Sequence, residues 1–163
     1  MRKMYKSMKV LAMAATMIGG ASLAQNAPKS YGPPVTLARA HAIVDAAHRE
    51  AKARNMAMAF AVVLPSGDPI LLEVMDGTQA ASITIAPAKA RSAARFRRPT
   101  KVFADAVAAG NMGMLTLDEI VAIEGGVPIV DDGRVIGALG VSGGTAAEDG
   151  EIAAAALRAV AND

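Results

Sequence analysis

Six cations crowd one short stretch of this chain. Lys89, Arg91, Arg95, Arg97, Arg98 and Lys101 fall within thirteen residues with no acid between them. Arg91 and Arg95 are four apart and share a helix face, and Arg98 follows three beyond Arg95. Guanidinium forks match carboxylates, so the cluster reads as an anion pocket rimmed by the Arg97-Arg98-Pro99-Thr100 break. It reads equally as a solvated helix face paired with acids elsewhere. His41 and His48 are the only imidazoles. Each can ligate a metal or haem iron through one nitrogen, or simply pack and hydrogen-bond. Seven residues of helix separate them by about 10 Å, too far to share one metal within a chain. Glu124 precedes Gly125-Gly126, where a ligand or another backbone can come close. It is a candidate base or ion ligand, and equally an ordinary surface carboxylate. No Ser-His-Asp set or working carboxylate pair is legible.

The elements that must position these groups centre on Glu124–Gly144. Val127, Ile129 and Val130 form one arm, Asp131-Asp132-Gly133 a turn, and Val135 to Val141 the other arm. Asp-Gly between apolar runs is a hairpin signal, because Gly accepts the positive φ of a tight turn. Gly137, Gly140 and Gly143 recur at three-residue spacing inside a strand, not at a β-to-α turn, so they make no dinucleotide fingerprint.

Upstream, Thr36 predicts an N-cap for a helix over 37–53, with Ile43, Ala47, Ala40, Ala51, Val44 and Leu37 on its apolar face and Asn55 as a left-handed stop. Met58–Leu64 and Ile70–Val74 predict a second hairpin around Pro65-Ser66-Gly67-Asp68. A helix over 79–96 contains Pro87, which either kinks it or restarts it. Thr100 is expected to cap a short helix ending at Gly110. The stretch 111–116 reads as loop, and 117–123 as a short helical turn or strand. Thr145 to Glu148 is a capping box opening a last helix to about residue 160. Hairpins dominate and no βαβ unit repeats, so the fold class is α+β: an antiparallel sheet with helices packed on it.

Composition narrows the function. Arg2, Lys3, Lys6 and Lys9 precede an apolar stretch, Val10 to Gly20, that ends in Ala21-Ser22-Leu23-Ala24. This is the pattern of a secretory signal peptide over residues 1–24, followed by a linker over 25–35 and one domain over 36–163. The segment is too short to span a membrane. The chain carries 17 Lys+Arg against 15 Asp+Glu, and removing the four leader cations leaves 13 against 15. The mature protein is therefore slightly acidic, and nucleic acid loses its electrostatic footing. The chain has no cysteine and no Trp. That excludes thiolate metal sites and Fe–S clusters and argues against base-stacking platforms.

Three segments together resemble a known family: Ala86-x-x-Lys89-Ala90-x-x-Ala93-Ala94-x-Phe96 with Arg98-Pro99-Thr100, then Glu124-Gly125-Gly126-Val127-Pro128-Ile129, then Gly137 to Gly144 with Glu148-Asp149. With the Thr36 helix opening, they resemble the GlcG/HbpS haem-binding family, which is related to the corrinoid-binding C-terminal domain of PduO-type adenosyltransferases. The resemblance implies a profilin-like α-β-α domain and a homo-oligomer, often an octamer. It implies a haem ligand, with iron or a corrinoid as variants, and in some members a sensor-protein partner. It points to Thr100, His41 and His48 as positions near the bound group.

The resulting expectation is an exported haem- or tetrapyrrole-binding protein whose binding residues are Lys89, Arg91, Arg95, Arg98, Thr100, Gly125 and Gly126, with His41 or His48 at the metal. The alternatives are an enzyme acting on a small carboxylic acid through Glu124 and the arginines, and a structural or signalling oligomer with no small ligand.

Overall fold

A computed structural model describes residues 29–161. The expected leader and the first part of the linker lie outside the described residues. The elements run α1 (Leu37–Ala53), β1 (Ala59–Val63), β2 (Pro69–Val74), α2 (Ser82–Phe96), α3 (Lys101–Ala108), a 3-10 turn (Met112–Thr116), β3 (Gly126–Asp131), β4 (Arg134–Ser142) and α4 (Ala146–Ala161). The strands make one antiparallel sheet in the order β2-β1-β4-β3.

The two sheet faces are built from side chains of different size. Phe60, Val62, Leu139, Val141 and Ile129 meet α1 and α4 in the larger core. Ala59, Ala61, Val63 and Ala138 meet Ala86, Ala90, Ala93 and Ala94 of α2 on the other face. Alternation along each strand sorts the residues this way. Small residues opposite small residues let α2 lie almost on the sheet backbone. A Cβ on Gly140 would collide with Ala86 O and Ala90 N. The result is a three-layer α-β-α sandwich.

Local signals decide most boundaries. Thr36 Oγ accepts from Arg39 N–H at 3.2 Å. Thr145 Oγ accepts from Glu148 N–H at 3.3 Å, and Glu148 accepts from Thr145 N–H at 2.8 Å, so the capping box is complete. Asn55 takes φ 55 after α1. α2 runs unbroken through Pro87, so of the kink and the restart the restart is excluded, and the proline costs the helix one hydrogen bond. Two expectations change. Thr100 makes no cap bond to α3; its hydroxyl accepts from Gly126 N–H at 3.0 Å instead. Residues 117–123 form neither strand nor helix, while 112–116 tighten into a 3-10 turn. The end of the linker is docked as well, with Gly32 N–H on Val135 O at 2.9 Å and Val35 N–H on Ile136 O at 2.7 Å.

Candidate functional site

The basic cluster does not converge. Successive positions on α2 point in different directions, and the structure sends each cation to its own partner. Lys89 faces inward. Its Nζ donates to Asp149 Oδ2 at 2.6 Å and to Val141 O at 3.2 Å, and the side chain is 2% exposed. Asp149 also accepts from Gly144 N–H at 3.0 Å. Burial pushes the Asp149 carboxyl above its usual range, and the Lys89 ammonium and the Gly144 N–H pull it back. Lys89 therefore joins α2 to the start of α4 around the end of the sheet and is closed to a ligand.

Arg91 and Arg95 share a face, as the spacing required, but that face lies over the β1–β2 turn. Arg91 Nε donates to Gly67 O at 3.3 Å, and Arg95 pairs with Glu119. Arg98 Nε donates to Phe96 O at 3.2 Å, and Lys101 pairs with Asp105 at 2.7 Å. Of the expected anion clamp, only the Arg91/Arg95 pair is brought together.

Gly125 and Gly126 do lie beside the cluster. The body that approaches them is the protein's own. A Cβ on Gly125, at φ 124, would stand 2.8 Å from Lys89 Nζ and 2.8 Å from Asp149 Cβ. On Gly126 it would overlap Lys89 O and lie 2.7 Å from Thr100 Cγ2. The two glycines make room for α2, and Thr100 is fully buried against them. The reading of Thr100, Gly125 and Gly126 as ligand contacts gives way to helix-on-sheet packing.

A residue not singled out by the spacing lines a surface cleft instead. Arg97 adopts φ 55 at the end of α2, which swings its side chain away from the rest of the cluster. Its guanidinium lies 5.1 Å from the Tyr31 ring centre, and Nη1 donates to Lys29 O at 2.9 Å. With Lys29, Pro99, Val127, Pro128 and Val130 it lines a cleft of about 230 Å³ outside β3. Arg97 Nε is buried and has no hydrogen-bond partner, the single such side-chain atom among the described residues. The signal was present in the sequence as an Arg-Arg-Pro break, but Lys29 and Tyr31 lie far upstream in a segment that reads as linker.

Glu124 rests over Gly150 on α4, where a Cβ would collide with its side chain. It borders a groove with Arg54 and Arg158, and Arg54 is already engaged by Glu151 at 2.7 Å. The arginines near Glu124 are thus not those of the 89–101 cluster. His41 Nδ1 stands 3.8 Å from Glu73 Oε1 at an exposed position on α1. The His48 ring packs 5.4 Å from Phe60 and is half-buried. Glu73 lies on β2 and the Arg97 cleft borders β3, at opposite sheet edges three strand spacings apart, about 14 Å. Imidazole and cation cleft are therefore separate within one chain. Among the described residues no three His, Asp or Glu side chains gather to hold a metal ion, and no helix is long and apolar enough to cross a membrane.

Residues 35–158 match a family model described as haem degrading protein HbpS-like. The chain belongs to the HbpS-like family. Protein GlcG of Escherichia coli K12 is 39% identical over 103 residues, covering 63% of this chain and 77% of that protein. The crystal structure of Klebsiella pneumoniae protein ORFY superimposes with a TM-score of 0.75 at 32% identity, over 81% of this chain and 94% of that one. A structure described as a PduOC:heme complex superimposes at 0.71 with 26% identity, over 77% and 94%. For this HbpS-like chain a tetrapyrrole requires apolar surface, cations for its carboxylates and a ligand for its metal. The Arg97 cleft offers the first two, with Arg97 and Lys29 as its cations. Its volume is below the roughly 300–1,000 Å³ usual for small-molecule pockets, so it can seat one edge of a macrocycle and not the whole.

Proposed function

We propose that this chain is an exported haem-binding protein of the HbpS-like family that works as a homo-oligomer. The observation that carries the reading is its kinship, at 26% identity over 77% of its length, with a chain solved as a heme complex. The Arg97 cleft supports it as the place for a propionate-bearing edge. Arg97 and Lys29 would hold carboxylates there, and Val127, Pro128 and Val130 would cover hydrocarbon. When bound, haem supplies the iron centre and its redox chemistry. His41 is the imidazole we assign to the iron, because it is exposed and Glu73 stands beside Nδ1, leaving Nε2 as the ligand nitrogen. The 14 Å between the two loci means that both engage one haem only where two subunits meet. The leader pattern supports export, and the acid-leaning mature charge agrees with a ligand other than nucleic acid.

Titration of the mature protein with hemin tests this. A Soret shift is expected, with affinity reduced at least about 10-fold in His41→Ala and in Arg97→Ala and unchanged in His48→Ala. The absence of any shift in the wild-type protein overturns the haem reading. A shift that survives both substitutions keeps haem and removes these residues.

An enzyme acting on a small acid has less support. Glu124 borders a groove with Arg54 and Arg158, and Arg91, Arg95 and Arg98 are engaged elsewhere.

A further inference from the structure

The two edges of the sheet are protected unequally. Gly126, at the start of edge strand β3, turns its N–H and C=O away from β4, and both are taken by Thr100. Gly126 N–H donates to Thr100 Oγ at 3.0 Å, and Thr100 N–H donates to Gly126 O at 3.0 Å. Two residues on, alternation turns Pro128 the same way, and proline has no N–H to offer. The β3 edge is closed by a threonine and a proline, two devices that stop a further strand from adding.

Among the described residues the β2 edge has no such cover. Met75 N–H donates to Met58 O at 2.9 Å, which sets the ladder so that Glu73 and Leu71 bond to β1 while Leu72 and Val74 direct their N–H and C=O outward. Neither group finds a hydrogen-bond partner among the described residues. The side chains tell the same story. Leu72 and Val74 lie opposite Ala61 and Ala59, on the face where the sheet is otherwise small and α2 packs close. α2 packs mainly on β4, β3 and β1 and only touches β2. Leu72 is 43% exposed and Val74 42%, and Ile83 at the start of α2 is 45% exposed. Two large apolar side chains on an alanine face, at the strand α2 covers least, stay exposed among the described residues.

We infer that β2 is a docking strand for a second copy of this chain, the two β2 strands pairing antiparallel about a two-fold axis. A bare strand edge is matched by another strand and by little else. A two-fold pairing uses the same edge on both subunits, so it closes at two, and the sealed β3 edges at the far ends prevent extension into a fibre. Register follows from charge. Glu73 is the single charged residue of β2, and it faces the α1 side. Centring the axis on Leu72 sets Glu73 against Leu71 of the partner subunit and avoids facing it with Glu73 of the partner subunit. The outcome is one eight-stranded sheet across two subunits, with Leu72 and Val74 of each covered. This pairing stands independently of what the protein binds.

Light scattering after size exclusion, on the mature wild-type protein and on Leu72→Lys/Val74→Lys, tests it. The expected result is an even number of subunits in the wild type and a twofold fall in mass in the variant, with the far-ultraviolet dichroism unchanged. Because both positions are more than two-fifths exposed in the single chain, lysine is tolerated there by the folded subunit. Amide hydrogen exchange provides the second readout. The Leu72 and Val74 amides are expected to slow with rising protein concentration in the wild type and to stay fast in the variant. A folded variant of unchanged mass, a monomeric wild type, or edge amides that ignore concentration would each overturn the proposal.

Discussion

Lys89 Nζ lies 2.6 Å from Asp149 Oδ2, and the two side chains are 2% and 3% exposed. One residue sits on the helix covering the alanine face of the sheet and the other near the start of the helix on the opposite face. Their contact passes beside Gly125, so a single buried ion pair ties all three layers at one end of the strands. Losing either partner strands a charge in the interior. Lys89→Met or Asp149→Leu alone is expected to cost about 3–5 kcal/mol, and the double replacement much less, since burial of both charges already carries a desolvation cost. Urea denaturation of the two single variants and the double variant reads this directly. Equal losses in all three would refute it.

The glycines divide by what stands over them. Gly126→Ala places a methyl group into Lys89 O and the Thr100 side chain, and Gly140→Ala places one into Ala86 O. Both are expected to lose more than about 3 kcal/mol or to prevent folding, because a helix backbone cannot retreat without opening the core. Gly133→Ala has open space, and only its φ of 72 stands against it. Its cost is expected near 1–2 kcal/mol. Thermal melts of the three variants should keep that order.

The capping box of α4 predicts an acid limb. The Thr145 N–H, and then the Thr145 hydroxyl, hold the Glu148 carboxyl below its ordinary value of 4.5. A carboxylate depressed by folding stabilises the folded state above its unfolded pKa, and that contribution disappears as pH falls through the folded pKa. The advantage of wild type over Glu148→Ala is therefore expected to be full above about pH 5 and to shrink below 4.5. Urea midpoints at pH 7 and pH 3 measure it, and a constant difference would exclude the ionised cap.

Export is expected to remove residues 1–24. N-terminal sequencing of protein recovered from outside the cytoplasm should then begin at Gln25. A chain that starts at Met1 there would contradict the leader reading.

Much of the fold was legible because it rests on local rules. The two hairpins announced themselves by Asp-Gly and Pro-Ser-Gly-Asp between apolar runs. α1 and α4 were marked by Thr36 and by Thr145 with Glu148, and each of these side chains makes the bond its position called for. The family was legible in three glycine- and alanine-rich segments. Those same glycines also show where the sequence stops short. A Gly-Gly before a strand says that something comes close, and a ligand and a helix leave the same trace in one dimension.

The composition and spacing alone determined an α+β domain with two hairpins, capped helices and a basic stretch after Lys89. Tertiary structure decided what that stretch does. It sent Lys89 into the core because Asp149, sixty residues away, meets it there. It turned Thr100 from helix cap to strand seal because Gly126 arrived beside it. It made Arg97 the cation of a cleft through a left-handed turn that brought Tyr31 and Lys29 alongside. Helical periodicity tells which residues share a face. Which face meets the sheet, and which partner waits there, is set by contacts between segments distant in the chain, and only packing resolves those.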